Sequence, residues 1–195
     1  MLFIFIAFML GCNEYMIVGV LPDIAKEYHT SLSSLGYVVT IFALVYAFST
    51  PIVTSLGNRW KREHVLIVLM IIFLIGNTWT ALTTNYWSLF CSRILTACTA
   101  GAIISLVLVL ANYITPMDKR AGLLSWVFAG FSIASVVSLP IGTMLAHISN
   151  WHVSFGVISI LTIISLVSLL LIVPKIRRKP AATCKHNLPS WETRE

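Results

Sequence analysis

Six long apolar runs, each about 20 residues, constrain this 195-residue chain more than any other feature. A hydrocarbon core of about 30 Å is crossed by roughly 20 helical residues rising about 1.5 Å each. The runs fall at about residues 2–21, 35–57, 65–82, 87–112, 122–147 and 153–174. None shows the period-two alternation of a membrane barrel strand, and each is about twice the length such a strand needs. The reading is an all-α membrane protein, with a six-helix transmembrane domain over 1–174 and a polar tail over 175–195. Composition agrees. Charged residues make up 10% of the chain and hydrophobic residues 58%, whereas soluble domains carry about 25% charged residues.

Basic residues orient the spans, because Lys and Arg collect on the cytoplasmic side of short loops. Arg59, Lys61 and Arg62 follow the second run, Lys119 and Arg120 the fourth, and six more lie in the tail, together eleven of the 13 Lys and Arg. Both termini are therefore expected in the cytoplasm, in a multi-pass protein of the plasma membrane. The net charge of +6 resides in these juxtamembrane segments, where it meets anionic membrane lipid rather than nucleic acid. Met1 stands almost at the start of a helix with no basic residue before it, which argues against a cleaved secretory signal. The expectation is a shortened cytoplasmic N-terminus.

Enzymatic chemistry finds no foothold. Cys12, Cys91 and Cys98 lie inside runs and Cys184 in the tail, without the spacing of a metal site or a disulfide framework. The five histidines form no cluster. No phosphate-binding loop, dinucleotide turn or nucleophile elbow occurs, so neither a cofactor nor a metal is expected.

Glu14 and Arg93 are the only formal charges within the runs. An ionisable residue inside a membrane is costly and by default functional. Counting along the runs sets both about seven residues from the same face, roughly 10 Å deep, so the two are expected to meet. Desolvation favours the neutral carboxyl and a nearby cation the ionised one, which suits a group that takes up and releases protons. The architectural alternative is a static ion pair joining the first and fourth spans. Both stay open. Asn13, Tyr15, Thr40 and Tyr46 are the further candidates for a central cavity, since polar groups in lipid face the bundle interior. Asn77 and Asn112 fit interhelical hydrogen bonds better.

A faint repeat relates the second run to the fifth. At a shift of 89 residues, Tyr37 falls on Trp126, Phe42 on Phe131, Pro51 on Pro140 and Leu56 on Leu145. Such a pattern is expected of two inverted three-helix repeats.

The stretch from Asn13 through Glu14 and Tyr15 to Leu21, Pro22, Asp23, Ile24 and Ala25 resembles the first-span signature of the major facilitator superfamily's drug:proton antiporter branch. That branch includes arabinose, sugar, purine-nucleoside and chloramphenicol efflux proteins. Thr40, Phe42, Ala43, Leu44, Tyr46, Ala47 and Pro51 are similar to its second span. In the following loop Leu56, Arg59, Arg62 and Leu66 agree with the superfamily signature, with Asn58 in place of its aspartate. Leu89, Arg93, Ala97, Ala100 and Gly101 resemble the arginine signature of the fourth span. Pro140, Gly142 and Thr143 are similar to the antiporter signature of the fifth, with Leu139 where a glycine is usual. Trp151 and Phe155 fit the motif after it, with His152 in its arginine position.

The resemblance implies half of a twelve-helix fold, exporting a small molecule (a sugar, nucleoside or drug) in exchange for protons. Glu14 and Arg93 would carry the coupling, Asn58, Arg59 and Arg62 a cytoplasmic gating loop, and Pro140, Gly142 and Thr143 the antiporter helix. Simple positive-inside anchoring by Arg59, Lys61 and Arg62 is the alternative for the loop. The tail resembles the start of a central loop, so the chain is expected to be truncated or to work as a half with a second half or a homodimer partner. The competing expectation is a non-transporting membrane fragment with a structural or interaction role.

Overall fold

The computed structural model describes residues 1–57 and 60–176. Six α-helices follow one another: α1 (Leu2–Glu27), α2 (Leu32–Gly57), α3 (Arg62–Leu82), α4 (Tyr86–Ile114), α5 (Arg120–Ile148) and α6 (Trp151–Ile176), with one 3-10 turn at Met117–Lys119. All six are long and apolar enough to cross a membrane, and the described residues contain no strand. Intrahelical hydrogen bonding explains the choice, because a backbone N–H or C=O left open in hydrocarbon costs several kcal/mol.

Helix ends reach past the apolar runs. α1 continues through Pro22 to Glu27, carrying Asp23, Lys26 and Glu27. Those charges stand where the helix leaves the hydrocarbon, so the apolar run marks the lipid-crossing part and not the whole helix. α2 begins after Ser31, whose Oγ accepts from the Ser34 N–H at 3.1 Å and so caps its first turn.

Packing obeys the expected internal two-fold. α1 lies most extensively against α5, and α2 against α4. Exchanging the first three helices for the last three maps one pair onto the other. The same exchange carries the α3–α4 contact onto α6–α1 and α3–α6 onto itself. These are two three-helix repeats. One departure stands out: α5 touches α6, whereas α2 and α3 make almost no contact.

Glycines set the closest approaches. A Cβ on Gly19 of α1 would stand 2.8 Å from the Leu139 carbonyl oxygen of α5, and one on Gly142 of α5 would stand 3.2 Å from the Met16 oxygen of α1. Gly11 and Gly130 make equivalent crowded contacts along the same seam. Without a hydrophobic force between helices in lipid, such backbone-level packing is a main source of association.

Two apolar clusters fill the interior. One gathers Ile6, Met9, Leu10, Met70, Phe73, Ile103 and Leu106; the other gathers Met16, Val20, Ile24, Leu35, Leu89, Trp151 and Phe155. Asn13 and Arg93 fall between them along both α1 and α4. At the end of the bundle holding the second cluster, the Thr83 carbonyl accepts from the Tyr28 hydroxyl at 3.1 Å and lies 2.7 Å from His152 Nε2. Trp151 Nε1 donates to Glu27. Burial and the adjacent Glu27 carboxylate hold the Tyr28 pKa above its ordinary value, so the hydroxyl keeps the proton it donates. This network ties α1, α6 and the α3–α4 loop together.

Candidate functional site

Arg93 is 1% exposed, the only fully charged side chain buried to this degree among the described residues. Its guanidinium donates from one terminal nitrogen to Asn13 Oδ1 at 3.1 Å and from the other to the Asn13 carbonyl oxygen at 3.2 Å. Aromatic rings shelter it further. Cζ lies 4.5 Å from the centroid of Phe42 on α2 and 5.5 Å from that of Phe155 on α6, within the range of cation–π attraction. The expected depth match of the first and fourth spans is therefore real, but the hydrogen-bonded partner of Arg93 is Asn13 rather than Glu14. The reason is helical geometry: consecutive residues point about 100° apart, and it is Asn13 that faces α4.

Glu14 is half-buried and turned into a cavity of about 110 Å³ that it shares with Tyr15, Val39, Phe42 and Arg93. Ile17, Val18 and Ala43 complete the lining, which among the described residues comes from α1, α2 and α4. Buried small-molecule sites are usually 300–1,000 Å³, and this one is smaller. Arg93 Nε and Asn13 Nδ2 are buried donors with no acceptor among the described residues. The site thus holds an excess of donors beside one carboxylate that no hydrogen bond to Arg93 restrains.

The other expected residues divide. Tyr15 lines the cavity and stacks edge-on to Phe131 of α5 at 6.0 Å. Asn13 is fully buried and serves Arg93 instead of the cavity wall. Thr40 stands on the exposed face of α2 with its hydroxyl given to the Gly36 carbonyl at 3.0 Å, as a helical threonine commonly does. Tyr46 also lies outside the cavity lining. It packs beside Phe42 and against the first apolar cluster, and its carbonyl is where α4 approaches through Gly101. Pro140 is exposed, Gly142 packs on Met16, and Thr143 donates to the Pro140 carbonyl at 2.9 Å. Asn58 and Arg59 lie outside the described residues, and Arg62 lines a separate groove.

Phe42 and Phe155 were not singled out from sequence as site residues. A buried arginine with one carboxylate in reach needs other shelter, and aromatic residues on the facing helices were the available signal.

Residues 3–191 match the Major Facilitator Superfamily, and the chain belongs to that family of membrane transporters. It is 35% identical over 173 residues to the uncharacterized MFS-type transporter YfhI of Bacillus subtilis, covering 89% of this chain and 43% of that protein. To the inner membrane transport protein YdhP of Escherichia coli K12 it is 34% identical, covering 87% of this chain and 43% of that one. The chain thus spans less than half the length of these relatives. Its fold superposes on an auto-inhibited POT family peptide transporter with a TM-score of 0.74 at 17% identity, over 92% of this chain and 38% of the other. That likeness concerns the fold alone.

Proposed function

We propose that this chain is one half of a proton-coupled efflux transporter of the drug:proton antiporter branch, exporting a sugar, nucleoside or drug. The observation that carries the reading is Glu14. It faces a cavity beside Arg93, while the guanidinium is held by Asn13 and two aromatic rings. A carboxylate with no hydrogen bond to a fixed partner, beside a buried guanidinium, is free to hold either a proton or a substrate group. Substrate arriving from the cytoplasm displaces the proton, and a proton from outside displaces the substrate. The protein's own binding energy for each then drives release of the other.

Three helices wall the cavity, so a second six-helix half, from a longer chain, a separate chain or another copy, supplies the opposite wall. The small volume equally favours the second reading, a fragment that transports nothing alone. Reconstitution decides between them. Co-assembled with its second half, the wild type exports substrate with a rate set by the pH gradient. Glu14→Gln keeps the fold and abolishes the pH dependence, because the neutral amide is less costly to bury than a carboxylate. Normal pH-driven efflux by that variant would withdraw the coupling claim.

Orientation in the plasma membrane, with both termini cytoplasmic, follows from the basic loops. In a cysteine-free background, an impermeant thiol reagent applied outside intact cells modifies a cysteine at Ser33 and spares one at Lys61. The reverse pattern inverts the topology.

A further inference from the structure

Asn13 holds the buried guanidinium of Arg93 by two bonds that differ in kind. Its carbonyl oxygen, which accepts at 3.2 Å, belongs to the helix and is present whatever side chain stands at position 13. Its Oδ1, which accepts at 3.1 Å, depends on the residue being asparagine. No third hydrogen bond orients the guanidinium among the described residues, since Arg93 Nε has no acceptor. Phe42 and Phe155, whose centroids lie 4.5 and 5.5 Å from Cζ, shelter the charge, but an aromatic face attracts a cation without fixing the direction of its N–H groups. That direction is set by Asn13.

Glu14 is the next residue and shares a cavity with Arg93, yet no hydrogen bond joins the two. The chemistry of the holding group matters here. A neutral amide orients a guanidinium through charge-assisted bonds and leaves its charge whole, whereas a carboxylate at position 13 would cancel most of it. With no holding side chain, a terminal nitrogen of Arg93 is free to close on Glu14 as a buried ion pair, the architectural alternative. Few other groups bear on this balance. Tyr46 of α2 and Tyr15 of α1 are the further titratable side chains near the Glu14 carboxyl, and α5 and α6 carry ionisable residues only near their ends, at Arg120, His147, His152 and Lys175.

We propose that Asn13 is a positioning residue: it holds the Arg93 guanidinium off Glu14, so that the two charges share the cavity without closing into a static pair. This role presupposes Glu14 as the proton carrier proposed above, and it explains how a carboxyl beside a buried cation stays free to exchange its proton.

Dicyclohexylcarbodiimide, which modifies protonated carboxyls in apolar surroundings, tests this on the purified chain in detergent. Labelling at residue 14 is read by peptide fragmentation across a pH series, and in the wild type it declines as pH rises. In Asn13→Ala a terminal nitrogen loses its acceptor and turns to Glu14, so the midpoint is expected to drop by about one pH unit, the low end of the effect of an opposite charge in contact. In Asn13→Asp the new carboxylate neutralises the guanidinium, and the midpoint is expected to rise by about as much. A residue that only packs would leave the midpoint in place or move it the same way in both variants, and either result overturns the proposal. In an Arg93→Gln background, Asn13→Ala is expected to have no effect on the midpoint, because the amide acts through the guanidinium; a shift that persists there overturns it as well. Where the alanine variant fails to fold, Asn13→Asp carries the test, and a midpoint that does not rise refutes the role. Labelling needs neither substrate nor a second half, so its outcome stands apart from that of the efflux measurement: pH-driven efflux by Glu14→Gln would remove the coupling claim, whereas unmoved labelling midpoints would remove the role of Asn13.

Discussion

α1 and α4 are enclosed by their neighbours, whereas α2 and α5 each leave a long side open. In the central apolar windows of α1 and α4, 61% of residues are buried within the bundle, against 11% in α2 and 22% in α5. Open residues recur along α2 at Tyr37, Thr40, Leu44, Phe48 and Ile52 and along α5 at Trp126, Ile133, Val136 and Met144. All four helices are comparably apolar, so hydropathy does not separate them. Glycines separate them in part. Every glycine of α1 and α4, namely Gly11, Gly19 and Gly101, sits where another backbone arrives. α5 has contact glycines too, Gly130 and Gly142 against α1, but Gly36 of α2 and Gly122 of α5 have nothing within 4 Å.

The largest test of this contrast exchanges one hydrogen for a methyl group in each pair. Gly19→Ala sets a carbon against the Leu139 carbonyl, a backbone atom that cannot turn aside. It is expected to destabilise the bundle by about 2 kcal/mol, seen as a lower midpoint in thermal unfolding in detergent. Gly36→Ala meets open space and is expected to be neutral or to stabilise by less than about 1 kcal/mol through the better helix propensity of alanine. Equal losses at both positions would mean that the close α1–α5 seam does not exist.

A somewhat smaller effect sharpens the account of the enclosed pair. Asn13→Ala removes a hydrogen bond to a buried cation and is expected to cost about 2 kcal/mol, while Glu14→Gln changes stability by less than about 0.5 kcal/mol. The same unfolding measurement checks both. If Glu14→Gln proved the costlier change, Glu14 and not Asn13 would be the partner of Arg93.

Much of the architecture was legible because lipid imposes it. Six apolar runs gave six helices, and the matched Pro51 and Pro140 pointed to repeats that the packing then displayed. Helix ends were less legible, since the last turns of α1 leave the hydrocarbon and hydropathy no longer reports on them. The site was read at half resolution. Counting formal charges found Glu14 and Arg93 but paired them with each other, because a sequence does not say which side of α1 faces α4.

The bond between Asn13 and Arg93 joins residues 80 positions apart, and this has a consequence for biosynthesis. At about 5–20 residues per second, a ribosome needs roughly 4–16 s to travel that interval. For those seconds α1 lacks the guanidinium that Asn13 holds in the finished bundle, and its glycine seam waits longer still for α5. Of these six helices α1 is thus made well before the partners that bury it, and the order of synthesis is a part of how this bundle is built.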